Sequence, residues 1–144
     1  MCLLPLRRKG GKHGPVTFTS ATRALLDGKN FATLATLNAD GGPQTSVIWI
    51  ERDGDTVLFS TTAARLKARN LARDPRVSLT VFDTGNPYQY VEIRGVAELT
   101  EDPGKTLPRR LSQKYLGEDP PPEPGDVVRL IVRIIPQRIT GFTG

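Results

Sequence analysis

Short apolar segments separated by Gly, Asp, Asn and Pro dominate the chain, the pattern of a mainly β fold with few helices. Thr19 or Ser20 is placed to cap a short helix over 21–26 that ends at Gly28. Residues 31–37 read as a strand, 38–42 as a turn, 43–51 as the returning strand, 52–55 as a second turn and 56–60 as a third strand. Tight turns between them predict an antiparallel meander. Ser60, Thr61 and Thr62 then stand where they would cap a helix over 63–73, which Asp74-Pro75 stops. A fourth strand over 76–83, a loop over 84–87 and a long strand over 88–99 follow, with Gly95 a bulge site. Leu107, Leu111 and Tyr115 fall on one face of a helix over 105–116, and Gly117 ends it. Pro120, Pro121, Pro122 and Pro124 make a stiff extended loop. The strand over 127–135 sets Val128, Leu130, Val132 and Ile134 on one face and Arg129, Ile131, Arg133 and Ile135 on the other; Pro136 interrupts before 138–142.

Six strands with peripheral helices predict a closed or nearly closed antiparallel barrel. Strands apolar on both faces require an outer cover, for which helices and a second subunit are the candidates.

Length and composition change this picture little. A chain of 144 residues, 38% apolar and 24% charged, is one domain able to bury a core, here over 16–144. No apolar run is long enough to span a membrane, and residues 3–6 are too short for a secretory core, so a cytoplasmic protein is expected. One cysteine, Cys2, excludes an internal disulfide, and with the single His13 argues against a Cys/His metal site. The net charge of +5 raises nucleic acid as a partner, but four of the 20 basic residues (Arg7, Arg8, Lys9, Lys12) lie in an expected flexible arm over 1–15. Removing those four leaves 16 against 15 acidic residues. The remaining excess is local, at Arg65, Lys67, Arg69, Arg73 and Arg76, which suits one compact anion better than a polyanion. With only nine aromatics spread over the strands, nucleic acid is not the expected partner.

The candidate chemistry lies at 58–70, where a strand, three hydroxyls and a basic helix meet. Free amides and the positive helix end favour an anion. Two readings stand: a phosphate grip, or a capped surface helix with a solvated basic face. Positions 65 and 67 lie about 200° apart on an ideal helix, so both reach one phosphate only if Arg65 sits in or before the first turn. Arg69 shares a face with Arg65 more naturally, or pairs with Asp74 or solvent.

Four stretches in order, F-A-T-L-A-T-L-N-A-D-G-G-P-Q-T-S (31–46), V-L-F-S-T-T-A-A-R-L-K-A-R-N-L-A-R-D-P-R-V-S-L (57–79), Y-V-E-I-R-G-V-A-E-L (90–99) and the short closing strand, resemble the pyridoxamine 5′-phosphate oxidase-like split β-barrel superfamily. The block R-x-K-x-R-N-L-x-R-D-P-R (65–76) is similar to the branch that uses the deazaflavin coenzyme F420 rather than FMN. The resemblance implies a homodimeric split barrel with cofactor sites at the interface. It implies an F420H2-dependent oxidoreductase acting on a small unsaturated, quinone-like or tetrapyrrole substrate. By position, Thr45, Ser46, Val47, Ile48 and Trp49 would run beside the ring. Ser60, Thr61, Thr62, Arg65, Leu66 and Lys67 would hold the phosphate, and Tyr88 would approach from the partner. Trp49 is equally the kind of residue that fills a core. Where the oxidase pattern has basic residues for the flavin phosphate, this chain has Ser46 and Glu51, which leaves FMN as the alternative cofactor. Small barrels also store cofactors without turnover, so a non-catalytic F420-binding protein is a further reading. No side chain is assigned a catalytic role; acceptor choice would lie in the 84–90 and 120–124 loops.

Overall fold

The computed structural model describes residues 16–141. The arm over 1–15, with Cys2 and His13, and the final Phe142 lie outside the described residues.

Helix α1 (Ser20–Asp27) is capped by Thr19, whose hydroxyl accepts from the Thr22 amide at 3.1 Å. Strands β1 (Ala32–Leu37) and β2 (Pro43–Ile48) form a hairpin in register from Ala32↔Ile48 to Leu37↔Pro43. Strand β3 (Glu51–Asp53) pairs with β4 (Thr56–Thr62) across a turn in which Gly54 takes φ 59°. Helix α2 (Leu66–Arg73), β5 (Arg76–Asp83), β6 (Asn86–Glu101), helix α3 (Thr106–Leu116) and β7 (Arg129–Gly141) complete the chain. The result is one antiparallel sheet of seven strands, ordered β2-β1-β5-β6-β7-β4-β3, that is not closed by hydrogen bonds.

That order corrects the predicted meander of the first three strands and the count of six. The strand expected over 43–51 is two strands on opposite edges of the sheet, β2 beside β1 and β3 beside β4. Trp49 and Ile50 cross between the edges, and Ile50 is buried in the core. No Gly or Pro marks the break, because the crossing is set by barrel curvature rather than by turn chemistry. The expected cap also moves: Ser60, Thr61 and Thr62 remain in β4, opposite Ile131, Leu130 and Arg129, and α2 starts only at Leu66. Pairing with β7 keeps this stretch extended where local propensity favours a cap. At the C-terminal end, two predicted strands are one. Pro136 sits opposite Gly95 at a register shift between Arg94 and Gly95, where an irregular ladder tolerates a residue with no amide hydrogen. Val128, assigned to the inner face, precedes β7 and is exposed.

The inner face carries the main core. Leu34, Val57, Phe59, Leu79, Ile93, Val132 and Ile134 meet Leu25 and Leu26 of α1 there. Leu58 points outward and joins Leu107 and Leu111 of α3, with Trp49, Tyr115 and Ile131 packed against them. Helix α3 is therefore the cover over this part of the outer face. Its start depends on buried Asp102, whose carboxylate accepts from the amides of Thr106 and Leu107, each at 3.0 Å. Burial opposes that charge, but these bonds prevail and hold the carboxyl below its ordinary range.

A Cβ at Gly95 would overlap the Ile135 carbonyl. Gly95→Ala is expected to destabilise the fold by at least about 1 kcal/mol, the lower end of overpacking costs, as read by urea denaturation.

Candidate functional site

A cleft of about 340 Å³ opens on the outer surface where the crossing, β4, α3 and the start of α2 converge. One wall is apolar: Val47 and Ile48 from the end of β2, Trp49 from the crossing, Pro108 and Leu111 from α3, and Pro120 from the following loop. The other is polar: Ser60, Thr61 and Thr62 of β4, Arg65, Lys67 of α2, and Arg129 of β7. The two walls match a ligand with one planar apolar part and one anionic part.

Local backbone explains how Arg65 and Lys67 share the polar wall. Arg65 is the N-cap of α2 with φ −70° and ψ 149°, so it stands in extended backbone before the helix. The helical angle between positions 65 and 67 does not apply. The cap makes no side-chain hydrogen bond, so the Leu66 and Lys67 amides that open α2 have no side-chain cap, while those of Ala68 and Arg69 donate to the Arg65 carbonyl at 3.1 Å. Among the described residues neither Arg65 nor Lys67 has an ion pair, whereas Arg129 is neutralised by Glu123 at 3.0 Å and reaches the Ser60 hydroxyl at 3.3 Å. Glu123 also faces Lys105 at 3.4 Å, and the Arg129 hydrogen bond is the main reason its carboxyl titrates below the ordinary range. Lys67 is depressed from 10.5, first by burial and then by the nearby Arg65 charge. Two unneutralised cations, uncapped amides and three hydroxyl residues are the donor set an anionic phosphate needs.

Not every expected position is here. Thr45 and Ser46 lie on β2 without lining the cleft; Thr45 is exposed, and the buried Ser46 hydroxyl has no partner among the described residues. Leu66 is exposed beside the cleft without lining it, and Tyr88 is 80% exposed at the start of β6. Glu51 is held by Arg110 at 2.9 Å on the edge strand. Conversely, Pro108, Leu111 and Arg129 were not assigned to the site. Arg129 arrives only through its pairing with Thr62, a register invisible locally. Pro120 belongs to a loop that the sequence did single out.

The basic block over 65–76 divides by task. Asn70, fully buried, donates to the Thr36 hydroxyl and the Asn38 side chain, each at 3.0 Å. Arg73 donates to the Leu37 carbonyl and to Asn70. Asp74 is claimed by Arg76, whose hydrogen bonds pull its carboxyl down to about 2, while Arg69 donates to the Ala64 carbonyl at 3.1 Å. The second half of the block therefore ties α2 to the β1–β2 hairpin.

Asn70→Ala removes the hydrogen bonds to buried Thr36, to Asn38 and from Arg73, and should cost about 1–3 kcal/mol in chemical denaturation. For Lys67 the folded value lies below the unfolded one. Stability therefore falls as pH drops through the window between 10.5 and the lowered value, and stays reduced below it. Arg65→Ala should raise the Lys67 pKa but leave it under 10.5, since burial persists. Magnetic resonance of methylated lysines reads this; an unmoved value would show that the two charges do not share the cleft.

The sequence profile of the pyridoxamine 5′-phosphate oxidase family matches residues 18–142. A pyridoxine/pyridoxamine 5′-phosphate oxidase of Kineococcus radiotolerans is 31% identical over 103 residues, which are 72% of this chain and 43% of that protein. One from Cupriavidus metallidurans is 31% identical over 86 residues, 59% of this chain and 40% of its own length. The chain spans less than half the length of these curated relatives. Among solved structures, an F420 reductase superposes with a TM-score of 0.74 at 33% identity, covering 82% of this chain and 94% of that one. A conserved hypothetical protein of Mycobacterium tuberculosis does so with a TM-score of 0.68 at 26% identity, covering 90% and 88%. The chain belongs to the pyridoxamine 5′-phosphate oxidase family and carries its split β-barrel.

Proposed function

We propose that this chain is an F420-dependent oxidoreductase that works on a small unsaturated, quinone-like or tetrapyrrole acceptor. The observation that carries the reading is the convergence of Arg65 and Lys67, both without ion-pair partners among the described residues, on a cleft whose opposite wall is Val47, Ile48 and Trp49. Similarity to an F420 reductase at 33% identity supports it. In this arrangement Arg65, Lys67 and the hydroxyls of Ser60 and Thr62 hold the phosphodiester. The apolar wall receives the ring and excludes water from it. Bound there, the deazaflavin supplies hydride transfer to or from the acceptor.

The choice of deazaflavin over FMN rests on Ser46 and Glu51. Neither lines the cleft, and Glu51 is an acid already paired with Arg110, so two cations expected of a flavin-phosphate site are missing from these positions. The proposed assembly is a homodimer. Tyr88, 80% exposed and outside its own protomer's cleft, then approaches the partner's cofactor, and Val47, 68% exposed, is covered.

Titration with F420 and FMN in parallel tests the reading. F420 is expected to bind, with Arg65→Ala and Lys67→Ala each weakening it roughly 10- to 100-fold, the worth of one charged hydrogen bond. Neither variant should lower the parent's Tm, since each removes a charge that the folded chain holds at a cost. Binding of FMN with indifference to F420 overturns the cofactor; tight F420 binding without oxidation of its reduced form across acceptors makes the protein a carrier.

A further inference from the structure

Trp49 stands at the two-residue crossing, where the sheet offers the backbone no ladder partners, and α3 supplies them instead. The Ile50 amide donates to the Tyr115 hydroxyl at 3.1 Å, and that hydroxyl donates to the Asn30 carbonyl at 2.7 Å. The Ile50 carbonyl accepts from Lys114 Nζ at 2.8 Å, and the same ammonium donates to the Leu26 carbonyl at 2.9 Å. Both polar groups of Ile50 are thus taken by two consecutive side chains of one helix. The Tyr115 ring then stacks on Trp49 with centroids 5.2 Å apart and planes within 5°, and on Phe31 at 5.6 Å. Lys114 Nζ lies 4.9 Å from the Tyr115 ring centre. Burial lowers the Lys114 pKa and raises that of Tyr115, so both polar tips sit out of bulk water.

Neither Lys114 nor Tyr115 lines the cleft, but Trp49 does. The geometry points to Lys114 and Tyr115 as a positioning pair: they pin the crossing and fix the indole plane, giving the cleft a preset wall for a planar ring. This deepens, and rests on, the reading of the cleft as a site for a ring-bearing phosphate ester. The pair acts through Trp49 rather than by touching the ligand. An aromatic held in one plane before binding loses little further freedom when a ring arrives, so the contact contributes more to affinity.

Trp49 is the only tryptophan of the chain, so its emission reports this wall directly. Tyr115→Leu removes the stack and the hydroxyl bridge together. In the ligand-free protein, well below the Tm, it is expected to shift Trp49 emission to the red and to increase acrylamide quenching several-fold. F420 binding should weaken about tenfold, while inhibition of that binding by inorganic phosphate keeps its constant. Tyr115→Phe, which retains the ring, should recover most of the lost affinity. A folded Tyr115→Leu protein with parental emission and quenching overturns the proposal, as does one with a loosened Trp49 but parental F420 affinity. Should that variant fail to fold, Lys114→Gln decides: the same direction of change supports the pair, and parental emission with parental affinity overturns it. If the parent binds neither F420 nor FMN, the cofactor reading fails separately. Trp49 emission in the variants then still decides whether the pair positions it.

Discussion

Two residues join the two edges of this sheet, and the rest of the structure follows from that constraint. A flat sheet of seven strands at about 4.8 Å spacing would hold its edge strands roughly 29 Å apart. From Ile48 to Glu51 the chain takes three Cα steps, at most about 11 Å. The sheet must therefore curl until β2 and β3 are neighbours, even though no ladder joins them. The curl encloses the core of Phe59, Leu79, Ile93 and Val132, and the unladdered seam leaves Trp49 and Ile50 needing partners from elsewhere. Helix α3 meets that need, and in doing so it covers Leu58 and Ile131 and becomes one wall of the cleft. Seam, helix and cleft are one consequence of a short connection.

The polar wall illustrates a second economy of design. Lys67 is unfavourable as a charge in the folded chain, first because it is partly buried and then because Arg65 lies near it, and both lower its pKa. The fold accepts that strain because α2 is anchored by other residues of the same block: Asn70 and Arg73 attach it to β1 and its turn. Cleft chemistry and helix attachment are carried by separate side chains a turn apart.

Much of this was legible in the sequence, for reasons that differ by element. Strand β5 was readable to the residue, since its buried positions Val77, Leu79 and Val81 alternate cleanly after Asp74-Pro75. Gly95 was readable as a bulge because a glycine inside a strand has few other uses. The segment V-I-W-I was misread as one continuous strand, because an apolar run that fills a strand and one that passes from one sheet edge to the other look alike in sequence. The three hydroxyls of β4 looked like a helix cap, since their extended backbone is imposed by β7 from about seventy residues away. Of the cleft, Ser60 to Thr62, Arg65 and Lys67 were accessible to local reasoning, and Val47 to Trp49 only through the family resemblance. Pro108, Leu111 and Arg129 enter through long-range packing and had no local signal.

The proline loop after α3 bears on selectivity in a further way. Pro120, Pro121, Pro122 and Pro124 have few backbone states to lose, and Glu123 among them is fastened to Arg129 and Lys105. A wall built this way has little slack: it neither folds over a small guest nor retreats far from a large one. On the proposed reading of the cleft, which Pro120 of this loop lines, choice among acceptors would rest on size exclusion rather than on adaptation of the protein to each guest.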